Sequence, residues 1–253
     1  MAKQLEGKIA IVTGASNGIG RGIAEAFAAE EAKTVIVARR AALLDEVAAG
    51  IKKNGGEALA IAADLTREAE IAALFTTVHK TFGRLDVLVN NAGIATNRDT
   101  EDIGLEYWQA ALDINITAPF LCSREAVRLM KSQTPQGGRI INIGSVSAKT
   151  PRPDSIPYTA TKFALQGMTH QLTMDGRKYG VVASILHPGA TLSSFSARRG
   201  RTRAGPGATA DDYVMAPEDV AKIVVLMCSL PPEVNLYEAT ILPNHMRSFI
   251  GRG

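Results

Sequence analysis

Lys8-Ile9-Ala10-Ile11-Val12-Thr13-Gly14-Ala15-Ser16-Asn17-Gly18-Ile19-Gly20 decides the fold of this 253-residue chain. The first six residues form a short apolar run rich in β-branched side chains, which reads as a buried strand. It runs directly into three glycines, after which Ile23, Ala24, Phe27 and Ala28 recur at helical spacing. Strand, glycine turn and helix in that order form the context of a dinucleotide-binding turn. Gly14 permits the tight turn, while Gly18 and Gly20 allow backbone and helix to approach a pyrophosphate at the positive end of the helix. The spacing is Gly-x-x-x-Gly-x-Gly, not the commoner Gly-x-Gly-x-x-Gly. A glycine-rich loop that binds nothing is the bland alternative, and the flanking strand and helix argue against it.

Outward from this turn, apolar strand patterns alternate with helical ones. Strands are expected near residues 8–13, 34–38, 57–62, 85–90, 138–144, 181–187 and 238–242, and helices near 18–30, 41–53, 67–82, 104–132, 156–179 and 217–229. Such alternation predicts an α/β fold, a Rossmann-type doubly wound parallel sheet of about seven strands flanked by helices, with residues 1–253 as one domain. Right-handed crossovers bring the strand ends to one edge. No apolar run is long enough to cross a bilayer and no signal-peptide pattern opens the chain. A net charge of +3 is too small to argue for nucleic acid. Cys122 and Cys228 read as buried free thiols in a reducing, cytoplasmic compartment, and the four histidines form no ligand cluster, so no metal is expected.

The second strand ends in Ala38-Arg39-Arg40, where NAD-selective folds place a carboxylate for the ribose hydroxyls. Arg39 and Arg40 instead offer guanidiniums that suit a 2′-phosphate, which favours NADP(H) over NAD(H). Alternatively, the two arginines merely open the next helix in solvent, and Asn17 stands where a further basic residue would have strengthened the reading.

Tyr158 and Lys162 lie four residues apart, hence on one helical face, and Ser145 lies upstream of them. An ammonium beside a phenol favours the phenolate and lowers its pKa from about 10. A serine hydroxyl could hold a substrate oxygen against the same phenol, giving the parts for proton transfer to or from an alcohol or carbonyl oxygen. Tyr-x-x-x-Lys by itself is more often a half-buried tyrosine with a solvated lysine.

Taken together, Thr13-Gly14-x-x-x-Gly18-x-Gly20, Asn90-Asn91-Ala92-Gly93, Asn115, Ser145, Tyr158-x-x-x-Lys162 and Pro188-Gly189 occur in one order along the chain. This pattern closely resembles the short-chain dehydrogenase/reductase family in its compact form, from Leu5 to about Leu242. The resemblance implies NAD(P)-dependent interconversion of a ketone or aldehyde with an alcohol. Tyr158 would be the general acid or base, Lys162 would bind the nicotinamide ribose and lower the Tyr158 pKa, Ser145 would hold the substrate oxygen, and Asn115 would fix a relay water. Gly14, Ser16, Asn17, Gly18, Ile19 and Gly20 would line the pyrophosphate. Asp64, with Leu65, would meet the adenine. Asn91, Ala92 and Gly93 would lie near the adenosine ribose, and Pro188, Gly189 and Thr191 by the carboxamide.

The resemblance also implies a substrate lid over about 190–215, where Arg198, Arg199, Arg201 and Arg203 either recognise a substrate anion or form a solvated basic loop. Arg152 and Ser155, on a proline-rich stretch, are candidates to face the substrate, and Trp108 reads as a packing or interface residue. The Leu230–Pro243 stretch and the Ala-Arg-Arg ending are similar to the NADP-dependent 3-hydroxy acid and serine dehydrogenase subgroup. Family likeness further implies a homotetramer or homodimer, with Phe249 and Ile250 packing on a neighbour. The competing readings are an NAD-dependent catabolic alcohol dehydrogenase and a dinucleotide-sensing relative without chemistry. The physiological substrate is not specified by any motif.

Overall fold

The computed structural model describes residues 3–95, 97–193, 214–244 and 246. Among them run seven strands: β1 (Ile9–Thr13), β2 (Lys33–Ala38), β3 (Glu57–Ala62), β4 (Val87–Asn90), β5 (Gly138–Ile143), β6 (Val181–Pro188) and β7 (Glu238–Ile241). All pair in parallel, in the order β3-β2-β1-β4-β5-β6-β7. This is the Rossmann-type α/β arrangement expected from the alternating pattern. The winding reverses between β1 and β4, and in open parallel sheets ligands bind outside the strand carboxyl ends at that crevice.

Side chains alternate across the sheet with a period of two, and both faces are covered. Ala10, Val12, Ile36, Val89 and Ile141 pack with α1 (Gly18–Ala29), α2 (Ala41–Lys53) and α7 (Pro217–Ser229). Their neighbours Ile9, Ile11, Val35, Val37, Leu88 and Ile140 pack with α3 (Glu68–Phe82) and α5 (Ala118–Ser132). Helix α1 approaches α7 so closely that a Cβ on Gly22 would lie 2.9 Å from Cβ of Pro217. The two cysteines are buried and free, and burial pushes both thiols up to about 12.

The stretch expected to form one helix near 104–132 is divided. Helix α4 (Leu105–Leu112) passes through a π turn (Asp113–Thr117) into α5, and the Ala118 N–H bonds to the Asp113 carbonyl five residues back. The wider turn carries Asn115, which is buried with its amide engaged by neighbouring elements. Helix α6 (Ile156–Gly176) ends in a short 3₁₀ turn over Arg177–Tyr179. No helix among the described residues is long and apolar enough to cross a membrane.

Candidate active site

The site is assembled where β1 and β4 diverge, and Thr13 joins them there. Its hydroxyl donates to the Val89 carbonyl (3.1 Å) and accepts from the N–H groups of Asn91 (2.9 Å) and Ala92 (3.0 Å). The Asn91 amide then donates to the carbonyls of Thr13 (2.9 Å) and Gly14 (3.3 Å). These contacts draw the loop after β4 against the glycine turn. Gly14 has φ +66°, and a Cβ there would lie 2.8 Å from Cα of Ala92. A Cβ on Gly20 would overlap the Gly14 carbonyl and the Asn91 amide.

Asn17 begins α1 in an extended conformation, and its side chain makes no cap bond to the first turn. The N–H groups of that turn therefore lack a side-chain acceptor, at the end of the helix where the dipole favours an anion. A turn with no side chain at Gly14, Gly18 or Gly20, followed by uncapped donors, fits a dinucleotide pyrophosphate. Ser16, Asn17, Gly18 and Ile19 are half-buried on this rim. Arg39 and Arg40 are exposed immediately beyond β2, and among the described residues neither enters a salt bridge. Beyond β3, the Asp64 carboxylate accepts from the Thr66 hydroxyl (2.8 Å) and N–H (3.1 Å). The Thr66 hydroxyl, helped by the Arg39 charge, holds Asp64 below its ordinary pKa. The Leu65 side chain, by contrast, belongs to the core under α3.

At the far side of the crevice Pro188 ends β6, and the Gly189 N–H bonds to the Ile241 carbonyl (2.8 Å). Thr191 donates its hydroxyl to the Gly189 carbonyl (3.1 Å). Of the expected lid, residues 194–213 with all four of its arginines lie outside the described residues, as do Phe249 and Ile250.

Asn115 from the π turn, Ser145 beyond β5, and Tyr158 and Lys162 on the first turns of α6 form the catalytic group expected from the sequence. The Asn115 amide accepts from the Ile94 N–H (2.8 Å) and donates to the Ile94 carbonyl (2.9 Å) and the Thr161 hydroxyl (3.2 Å). Both amide hydrogens and one lone pair are thereby committed to holding the loop after β4 against α6. Thr161 in turn donates to the Tyr158 carbonyl (2.8 Å). Deeper in, Asn90 donates to Ser123 (3.0 Å) and Asn142 (2.9 Å), and Asn142 to Thr169 (2.8 Å), so a buried polar ladder fastens β4 and β5 to α5 and α6.

The Ser145 side chain acts on the Tyr158 phenol, favouring its phenolate. The Ser145 Oγ also accepts from the Ser147 N–H (3.1 Å), which fixes its rotamer at the start of a 3₁₀ turn. Lys162 is 7% exposed; its ammonium donates to the Ile143 carbonyl (2.8 Å) and lies 5.6 Å from the Tyr158 ring centre. Burial pulls Lys162 down to about 8. The net shift of the Tyr158 phenol is upward, opposite to the direction expected from the Lys162 charge alone. Burial pushes the phenol up, opposed by the Ser145 side chain and by the positive charge of Arg152. Desolvation of the phenolate is the largest of these effects.

A family model described as short chain dehydrogenase matches residues 8–204. The chain belongs to the short-chain dehydrogenase/reductase family. It is 36% identical over 207 residues to glucose 1-dehydrogenase 2 of Bacillus subtilis, covering 80% of each chain. With 3-oxoacyl-[acyl-carrier-protein] reductase of a Synechocystis species it shares 40% identity over 186 residues, 73% of this chain and 74% of the relative. A metagenomic short-chain oxidoreductase solved in complex with NADP superposes with a TM-score of 0.82 at 32% identity, covering 95% of this chain and 99% of that one.

Short-chain dehydrogenase/reductases are oxidoreductases that bind a nicotinamide dinucleotide, and the glycine turn meets that requirement. Two features of this family member escape sequence reasoning. Arg152, a candidate substrate contact, also brings its charge to bear on Tyr158. His187, which seemed merely to lack metal-ligand partners, is wholly buried with Nδ1 against the backbone of Ser145. Its place just before Pro188-Gly189, at the end of an apolar strand, was the available signal.

Proposed function

We propose that the protein is an NADP(H)-dependent reductase of ketones or aldehydes, working in reverse as an alcohol dehydrogenase, with Tyr158 as general acid and base. The observation that carries this reading is the buried Lys162 ammonium 5.6 Å from the Tyr158 ring centre, with the Ser145 side chain acting on the same phenol. A substrate carbonyl oxygen would sit between the Ser145 hydroxyl and the Tyr158 phenol. When bound, the cofactor supplies the hydride in reduction and accepts it in oxidation. In reduction Tyr158 gives its proton to the developing alkoxide, and burial keeps that phenol protonated until it is needed. Lys162, with a pKa of about 8, is largely charged at neutral pH and stabilises the phenolate that results. Arg152 adds positive charge that acts on the same phenol.

Support for NADP(H) comes from Arg39 and Arg40, exposed beyond β2 at the place where a 2′-phosphate would lie. Leu105, Phe120, Phe163 and Met174 are exposed apolar residues on α4, α5 and α6, and we assign these helices to homotetramer or homodimer contacts, testable by light scattering on the purified protein. The test of function is initial-rate oxidation of NADPH, beside NADH, across ketones, aldehydes and 3-oxo acids, with Tyr158→Phe as the blank. Turnover that prefers NADPH and vanishes in the variant is expected. Turnover with NADH alone would overturn the cofactor assignment, and measurable NADPH binding without turnover would favour a sensing role.

A further inference from the structure

Behind Ser145 lies a polar cluster that the chemistry above does not use. His187 is fully buried on β6, with Nδ1 2.9 Å from the Ser145 carbonyl and 3.3 Å from the Ser145 N–H. Its other ring nitrogen has no hydrogen-bond partner and lies 3.8 Å from a carboxylate oxygen of Glu238 on β7. Glu238 pairs with Lys149, which ends the 3₁₀ turn begun by Ser145, and accepts from Gln166 of α6 (3.2 Å). His170 of α6 stands 3.9 Å from its second oxygen, and the Lys162 charge also reaches His187.

Gly144 supplies an independent sign that the ring belongs against this backbone. Its φ is not in the left-handed region, so no turn demands glycine, yet a Cβ there would lie 2.6 Å from Nδ1 of His187. The missing side chain is the space the imidazole occupies.

We propose that His187, oriented by Glu238, is a positioning residue that sets the backbone and hence the hydroxyl of Ser145. A neutral imidazole has one donor and one acceptor nitrogen, so Nδ1 serves either the Ser145 carbonyl or its N–H at any moment. The 2.9 Å contact and the unpartnered Nε2 fit a hydrogen on Nδ1, donated to the Ser145 carbonyl; moving that hydrogen to Nε2, which the Glu238 carboxylate faces, leaves Nδ1 to accept from the Ser145 N–H. The Ser145 carbonyl also accepts from the Ala148 N–H (2.9 Å), so the whole turn moves with it. Lys149 on Glu238 holds the other end of that turn. The Ser145 hydroxyl is therefore aimed by side chains from β6 and β7.

The inference rests on Ser145 holding the substrate oxygen, and the test separates the two. His187→Asn keeps an amide where Nδ1 lies, able to donate or accept; His187→Gln places its amide where Nε2 lies; His187→Leu has neither. Amide hydrogen exchange of residues 145–150 is read with no substrate present, and kcat and NADPH affinity are read with the best carbonyl of the panel. Leu and Gln are expected to speed exchange and to lower kcat by about tenfold to a hundredfold, the usual cost of a misplaced reacting group, with NADPH affinity unchanged. Asn is expected to stay near wild type in both. Glu238→Gln leaves the ring in place and is expected to speed exchange of the same segment, so the idea remains testable should a His187 variant not fold. Equal exchange and kcat for Asn and Gln, or unchanged exchange in Leu and in Glu238→Gln, overturns the positioning role. Full turnover in Ser145→Ala would refute the role of the serine, while the exchange data would still judge His187.

Discussion

Replacing Thr13 with valine removes a single oxygen at nearly constant volume, and the structure says what that oxygen does. It makes three hydrogen bonds across the β1–β4 crevice, to Val89, Asn91 and Ala92, from a side chain only 1% exposed. A typical hydrogen bond contributes about 1 kcal/mol net, and leaving a buried donor unpaired costs about 1–3 kcal/mol. Asn91 and Ala92 are partly open to water, which recovers some of the loss, so the sum expected is about 2–4 kcal/mol. That is a large part of the roughly 5–15 kcal/mol that holds a typical protein folded. For a chain of this size it corresponds to a melting temperature lower by about 4–16 °C. Thermal and urea melts of Thr13→Val beside Thr13→Ser, which keeps the hydroxyl, provide the assay. Cofactor affinity should fall with stability, because the same bonds press the loop after β4 onto the glycine turn. A valine variant that melts with the serine variant and binds NADPH as tightly would refute the reasoning.

Tyr158→Phe should abolish most turnover and leave NADPH affinity nearly intact, and retained turnover would remove Tyr158 from the chemistry. Lys162→Met should lose turnover yet raise stability at pH 7 by on the order of 1–3 kcal/mol, because it removes a desolvated ammonium. Burial lowers the folded pKa of Lys162 from 10.5 to about 8, so the unfolded chain holds the extra proton between those values. Wild-type stability therefore gains from this group as pH rises from about 8 to about 10.5, and the methionine variant should lack that gain; parallel urea-midpoint curves against pH would contradict it. Arg39→Asp should weaken NADPH far more than NADH, and an equal effect on both would end the 2′-phosphate assignment.

The strands were legible because a parallel sheet covered on both faces demands short β-branched runs, and Ile9–Val12 or Val35–Val37 have few other ways to be buried. The site was legible in outline because each motif falls just beyond a strand, where a doubly wound sheet must place it. The division of 104–132 was not legible, since Leu112, Ile114 and Ile116 continue an apolar pattern and a π turn leaves no mark on composition. Local spacing also misjudged Tyr158: four residues on a helix bring Lys162 near, but the direction of the pKa is decided by how much of the protein covers the phenol. The His187–Glu238 approach was out of reach because it depends on β6 and β7 pairing with Ile185 opposite Glu238. Two partners so far apart in the chain have no local signature.

The π turn at Asp113–Thr117 bears on how the chain can be edited. A π turn behaves as one residue added to an α-helix, and such additions usually persist where function compensates for the lost helical geometry. Removing one residue from this turn would allow a continuous helix from Leu105 to Ser132, and local helix propensity would improve. The same deletion would turn α4 by about 100° relative to α5, the angle one helical residue occupies. Asn115 would then leave Ile94 and Thr161, and the loop after β4 would lose its tie to the helix bearing Tyr158 and Lys162. Single-residue deletion scanning across Leu105–Ser132 would thus find positions where secondary structure becomes more regular as activity disappears.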